Sequence, residues 1–360
     1  MIQGHGGDTY RLAKRLDCPV AEIVDMSSNV NPLGPPPGLM AFLAENADCI
    51  LNLPEADAET AASAFADQNS MDPGQVVAGN GTTELIYLMP RAFGIKSALI
   101  VGPTYADYAD ACRMAGTRFE YWHATSDQGF KPRIDLIGRS VHGHDAVFIC
   151  NPNNPTGTLM PREALEGLCR ANPETVFVVD ESYLPFAGDF QSAGMAACGL
   201  TNVVVLNSMS KIFRVPGLRI GFAAGSAELM GRCRRLTLPW SQNALAQAAA
   251  VYLMEHAEIM GDFIEQSRVF INREREGLIQ ALNRIDAIEV FDSCTSFILC
   301  RIRRGPMAAE LWDHLARKRT LIRDCTNFYG LDETYFRISL KLTEDNRRVA
   351  EALADFFTLT

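Results

Sequence analysis

The chain is predicted to be an α/β protein: a large unit built on a mostly parallel sheet, followed by a smaller α+β unit. Three observations predict it. Short continuous apolar runs (Ala98-Leu99-Ile100-Val101, Ala146-Val147-Phe148-Ile149-Cys150, Val176-Phe177-Val178-Val179, Val203-Val204-Val205-Leu206) alternate with stretches of helical period. Continuous apolar strands between helices belong to sheets covered on both faces. Each run ends in a polar tip, and ligands bind at the carboxyl ends of such strands. Near Pro239 the composition changes: an alanine-rich helical stretch begins, and shorter strand and helix patterns follow. The expected boundaries are an N-terminal arm at 1–45 that joins the small unit, a large unit at 46–238 and a small C-terminal unit at 239–360.

Taken in order, a Gly-flanked His5 precedes an amphipathic stretch from Thr9 to Leu16. The segment Ser27-Ser28-Asn29-Val30-Asn31-Pro32-Leu33-Gly34-Pro35-Pro36-Pro37 excludes helix or central strand and reads as an ordered arm or a linker. Residues 40–72 look helical, interrupted at Leu53-Pro54. Val76-Val77-Ala78-Gly79-Asn80-Gly81-Thr82-Thr83 runs into an apolar face at helical spacing, so it reads as strand, Gly turn, helix start. Exposed N–H groups at Gly81 to Thr83 could cradle a phosphate, although a plain capped helix has the same signature. Pro90 is awkward inside that helix. A helix is predicted from Pro161 to Ala171, proline being common at helix starts. One long helix is predicted from Ala244 to Glu276. Strands follow at Phe297–Arg301, Leu321–Arg323 and Phe336–Leu340, with helices near 306–319 and from Glu344 to Phe357.

Composition narrows the function. The 360 residues are 48% hydrophobic and 21% charged, an ordinary globular balance. Net charge is −10, from 33 Lys and Arg against 43 Asp and Glu. With no basic run, nucleic acid and anionic membrane surfaces are disfavoured as partners. No apolar stretch reaches membrane-spanning length, and the N-terminus lacks a signal pattern. The ten cysteines form no CxxC pair, which argues against a metal site or dithiol motif and for a reducing, cytoplasmic setting.

The stretch Ser208-Met209-Ser210-Lys211, followed by Arg219, holds the chemistry. Two hydroxyls, an amine and a guanidinium at the mouth of a strand make an anion site with a lysine beside it. A strand, a charged turn and a second strand are the plainer alternative. The other strand tips weigh against it, since Thr82, Tyr105, Asn154, Asp180 and Tyr183 fall on the same rim as Ser208, Ser210 and Lys211. Neither GxGxxG after the first strand nor GxxxxGK[ST] occurs, so dinucleotide and P-loop sites are disfavoured.

Together, Asn151-Pro152-Asn153-Asn154-Pro155-Thr156-Gly157, Asp180-Glu181-Ser182-Tyr183, Ser208-Met209-Ser210-Lys211 and Arg219 resemble the fold type I pyridoxal-phosphate enzymes. Their order is similar to the aminotransferase branch that contains the histidinol-phosphate aminotransferases. His5-Gly6-Gly7, the Ser27 to Gly34 segment, Pro239-Trp240-Ser241-Gln242-Asn243-Ala244-Leu245-Ala246, Leu321-Ile322-Arg323-Asp324-Cys325, Tyr329-Gly330-Leu331-Asp332 and Tyr335-Phe336-Arg337 look more like the threonine-phosphate decarboxylase family. The resemblance implies pyridoxal 5'-phosphate as cofactor, a phosphorylated amino acid as substrate, a homodimer, and decarboxylation of O-phospho-L-threonine for cobalamin biosynthesis. The alternative is a histidinol-phosphate-type aminotransferase.

Roles carried over from the resemblance are as follows. Lys211 joins the cofactor aldehyde; a lysine amine near cationic neighbours can be neutral and nucleophilic. Asp180 pairs with the pyridine nitrogen, Asn154 and Tyr183 meet the ring hydroxyl oxygen, and Tyr105 stacks on the ring. Gly81, Thr82, Ser208, Ser210 and Arg219 form the phosphate cup. Arg337 takes the α-carboxylate as a bidentate fork. Asn154, Arg323, His5 and Asn31 lie at the substrate. The family often carries Tyr-Pro where this chain has Leu53-Pro54, and leucine cannot donate the hydrogen bond that tyrosine gives across the dimer.

Overall fold

The computed structural model describes residues 6–188, 193–196 and 198–359. The N-terminal arm supplies β1 (Val24–Asp25). The main sheet is built from β2 (Val76–Asn80), β3 (Ser97–Gly102), β4 (Arg118–His123), β5 (Ala146–Cys150), β6 (Val176–Asp180), β7 (Val203–Ser208) and β8 (Ile220–Gly225). The spatial order is β2-β8-β7-β6-β5-β3-β4. Only β8 runs against the rest.

Period-two alternation divides these apolar strands between two core layers. Ile100, Phe148, Val178 and Val204 pack on one face. Leu99, Val147, Phe177, Val179 and Val205 pack on the other. Edge strand β4 instead alternates, exposing Arg118 and Glu120, and such charges discourage further strand pairing.

The C-terminal part adds β9 (Ile288–Val290), β10 (Phe297–Ile302), β11 (Thr320–Leu321), β12 (Arg323–Asp324) and β13 (Tyr335–Ser339). Four of them form an antiparallel sheet in the order β12-β13-β10-β9. β11 turns aside to pair in parallel with β1. Met26 N–H donates to Leu321 O and Ser339 N–H to Met26 O, each at 2.8 Å. Of the two readings of the N-terminal segment, the ordered arm is therefore the one found, stitched into the C-terminal part.

Three elements differ from expectation. The predicted long helix is two, Ala244–Glu255 and Ala257–Leu282, divided at His256. His256 leaves the helical region (φ −103°, ψ 41°) and its ring stacks on Tyr252 at 4.2 Å. Leu321–Arg323 is not one strand, because its first half pairs with the arm and its second with β13. Pro90 does no visible harm: it sits in the last turn of the helix Gly81–Ala92, where one backbone bond is lost near an end that frays anyway.

Candidate active site

The sheet delivers the site. β6 ends at Asp180, β7 ends at Ser208, and the short helix Met209–Ile212 carries Lys211 directly after it. β2 ends where the helix Gly81–Ala92 begins. All ten positions expected to hold the cofactor (Gly81, Thr82, Tyr105, Asn154, Asp180, Tyr183, Ser208, Ser210, Lys211 and Arg219) line one cleft there. Thr83, Tyr108, Cys150 and Ser182 complete its lining.

At one end of the cleft is an anion cradle. Gly81 has φ +72°, and a Cβ on it would stand 2.5 Å from the Arg219 guanidinium. A side chain there would collide with the cation, so glycine permits the close approach. Gly81 N–H donates to Arg219 O at 3.0 Å, and the first N–H groups of the helix have no intrahelical partner. The helix start and the guanidinium both favour negative charge at this spot. Ser210 Oγ is buried without a hydrogen-bond partner among the described residues, as is Ser182 Oγ. Buried hydroxyls are seldom left so, and a phosphate dianion against this end would satisfy Ser210.

Lys211 is half-buried. Burial chiefly, then Arg219 and Arg337, pull its ammonium down to about 8, against an upward pull from Asp180. Asp180 is buried. Its Oδ1 accepts from Ser182 N–H at 3.0 Å and its Oδ2 from the Tyr108 phenol at 2.8 Å. The Tyr183 phenol accepts from Asn29 Nδ2 at 3.3 Å. Burial pushes that phenol up to about 12, with Arg337 acting the other way. Tyr105 stands edge-on to Tyr108, ring centroids 5.8 Å apart.

Opposite the sheet, the C-terminal part contributes two arginines. Arg323 on β12 and Arg337 on β13 are direct cross-strand partners. Arg337 is buried over the Phe297 ring at 5.2 Å. It donates to Asn154 Oδ1 and, at 2.7 Å, to Ser27 O. Its Nε has no partner among the described residues. Arg323 lies over Phe328 at 5.2 Å and donates to Asn327 Oδ1. Burial first, then Arg337, lower Arg323 to about 10. Among the described residues neither arginine is ion-paired to a carboxylate. Like charges facing each other across strands are destabilising, so this arrangement calls for anions.

Two expected substrate residues need correction or fall out of view. Asn31 is fully buried and its side chain is already committed. Its Nδ2 donates to Ser267 Oγ at 2.7 Å and Ile212 O at 2.8 Å, and its Oδ1 accepts from Leu33 N–H. Its own N–H donates to Lys211 O at 2.9 Å. With both amide protons used, Asn31 braces the lysine turn and has no donor left for a substrate. Asn29 is the arm residue that reaches the site, through Tyr183. His5 lies outside the described residues. Leu53 is exposed and away from the cleft of its own chain.

Tyr108, Ser182, Cys150 and Asn29 were not singled out from the sequence. Tyr108 had a usable signal: it lies three residues after Tyr105 at a helix start, a spacing that keeps two side chains on one face. Asn29 had none, because only the tertiary fold brings the arm to Tyr183.

The chain's residues 21–353 match the family model described as aminotransferase class I and II. The chain is 29% identical to the threonine-phosphate decarboxylase of Salmonella typhimurium, over 98% of this chain and 96% of that one. It is 30% identical to the histidinol-phosphate aminotransferase of Methanothermobacter thermautotrophicus, over 93% and 89%. Among solved structures, the L-threonine-O-3-phosphate decarboxylase from Porphyromonas gingivalis superposes with a TM-score of 0.84 at 35% identity, covering 93% of this chain and 100% of that one. The fold is thus that of the fold type I pyridoxal-phosphate enzymes, and the chain belongs to the class I and II aminotransferase family.

Proposed function

We propose that this protein is a pyridoxal 5'-phosphate-dependent carboxy-lyase. Its reaction converts O-phospho-L-threonine to (R)-1-aminopropan-2-yl phosphate and carbon dioxide, supplying the aminopropanol arm in cobalamin biosynthesis. The observation that carries this reading is the facing pair Arg323 and Arg337, one guanidinium half-buried and one buried, with no acid partner among the described residues. A phosphorylated amino acid brings two separate anions to such a pair. The relatives from Salmonella typhimurium and Porphyromonas gingivalis, which bear the name of this activity, support it.

The residues of the cleft fit the cofactor. Ser210 Oγ is an unpartnered donor beside the cradle of Gly81 and Arg219, which suits a phosphate. Asp180 is a buried carboxylate suited to a protonated ring nitrogen. Asn154 gives its Oδ1 to Arg337 and keeps its amide protons for the ring hydroxyl oxygen, together with Tyr183. Bound there, pyridoxal phosphate supplies an electron sink for the pair left at Cα when a bond to that carbon breaks.

The protein's own contribution is charge placement and proton handling. Lys211, lowered to about 8, presents a useful fraction of neutral amine near neutral pH. Arg337 is clamped by Ser27 O and Asn154, so a carboxylate bound to it has a fixed position. Arg323 takes the phosphate, and that remote binding energy orients the α-carbon. Two fixed anion positions, Arg337 for the carboxylate and Arg323 for the phosphate, would set which bond to the α-carbon is presented to the cofactor's electron sink. Lys211 Nζ then returns a proton to Cα.

Purified protein incubated with O-phosphothreonine, and separately with O-phosphoserine, is expected to release carbon dioxide without a keto acid. No release from either would overturn the reading. A histidinol-phosphate aminotransferase is the second reading, favoured by the relative that is 30% identical. It requires amine transfer that depends on a keto acid.

A homodimer completes the proposal. Trp240 N–H donates to Ala56 O at 2.8 Å, joining two segments that expose Ile50, Leu51, Leu53, Leu238 and Trp240. Apolar groups gathered this way suit burial against a second copy, and light scattering of the purified protein tests it. Ten unpaired cysteines and no described helix long and apolar enough to cross a membrane support a cytoplasmic setting.

A further inference from the structure

Asp180 poses a problem that the cofactor alone does not solve. The carboxylate is only 5% exposed, and no ion pair to it occurs among the described residues. A buried carboxylate without donors is costly. Two neutral donors meet it: Ser182 N–H on Oδ1 and the Tyr108 phenol on Oδ2. The first comes from the chain's own turn. The second comes from a different element, the helix Asp107–Ala115.

Tyr108 is itself tightly held. It is 1% exposed, stacked on Phe148 at 5.7 Å and 22°, and edge-on to Tyr105 at 85°. Burial first, then the Asp180 charge, hold the phenol proton far more firmly than usual, so Tyr108 donates and stays neutral. Cys150, at the end of β5, is also held neutral by burial and turns its thiol to Pro152 O at 3.3 Å. It offers Asp180 no charge.

We propose that Tyr108 is a positioning residue, fixing the rotamer and the charge of Asp180 toward the cofactor's ring nitrogen while bracing Tyr105. A donor to a carboxylate stabilises its ionised form. With Tyr108 in place, the carboxylate is held in one orientation by a donor on each oxygen. Without it, the carboxylate can turn away from the ring nitrogen, that nitrogen holds its proton less firmly, and the cofactor bound to Lys211 becomes more basic. The inference rests on the cofactor reading and not on the identity of the substrate.

The test is Tyr108→Phe in the holoenzyme, which keeps both ring contacts and removes only the hydroxyl. The visible absorbance of the bound cofactor is titrated with pH, and cofactor release is followed by dialysis. The absorbance transition is expected to move up by about half a unit or more, and release to quicken by about threefold to tenfold. Melting of the apo form should stay within about 2 °C. Tyr108→Leu, which also removes the brace, should add a further loss of cofactor. An unchanged transition with unchanged release, or a Tyr108→Phe protein that fails to fold by circular dichroism, assigns Tyr108 to the core alone and overturns the proposal. A wild-type protein that shows no cofactor absorbance instead defeats the cofactor reading.

Discussion

The cofactor cradle and the pair of arginines facing it are built on opposite principles. In the cradle, Asp180 is saturated by Ser182 and Tyr108, and Gly81 and Arg219 fit together closely. It hangs on β6, β7 and a helix start, inside a sheet buried on both faces. The arginines stand on short strands of the C-terminal part. They face each other without a compensating acid among the described residues. One region gathers its charges and hydroxyls around a buried, braced carboxylate; the other sets two guanidinium groups face to face. The difference teaches that cofactor retention and substrate recognition should respond to different substitutions.

The largest expected effect tests the cradle. Lys211→Ala should cut carbon dioxide release by at least about a thousandfold, since nucleophile and proton donor are lost together. A variant retaining more than about a tenth of the activity would remove Lys211 from the chemistry. Next come the arginines. Arg337→Ala should lower kcat/KM by about a hundredfold to a thousandfold, with Arg323→Ala acting mainly on KM. Neither should change cofactor affinity more than about twofold. Apo Arg323→Ala should melt no lower than the wild type, because a like-charge contact has been relieved. Coupled loss of cofactor would erase the distinction between the two regions.

A smaller effect is expected at Ser210. Ser210→Ala should weaken cofactor binding about tenfold, the scale of a hydrogen bond to a charged group. The apo protein should lose no stability, because its buried hydroxyl has no partner there. The smallest effect is pH-dependent. Lys211 must be neutral to take up the aldehyde, and its value is lowered from 10.5 to about 8. The rate of cofactor uptake by the apo protein should therefore rise as pH climbs through about 8 and level off above it. A midpoint near the ordinary lysine value would show that burial does not tune the amine.

Much of the cradle was legible in the sequence because its parts are short and local. Strand, polar tip and helix start follow one another within a few residues, so Asp180, Ser208, Lys211 and Gly81 announce themselves. Tyr108 was half-legible, a helical step from Tyr105. Asn31 was placed at the substrate by resemblance, which does not reveal which amide of the arm finds internal partners. The break at His256 was hidden by the alanine-rich run before it, where helical propensity is continuous but packing is not.

The sequence by itself determined the class of sheet, the order of its strands' polar tips and the set of polar residues that gather in one cleft. Apolar periodicity and turn chemistry act over a handful of residues, so they can be read there. Only the tertiary structure decided that Arg323 faces Arg337, that Asn29 rather than Asn31 reaches Tyr183, and that Tyr108 holds Asp180. Strand register and the docking of the arm depend on burial summed over residues far apart in the chain, and no local pattern carries that sum.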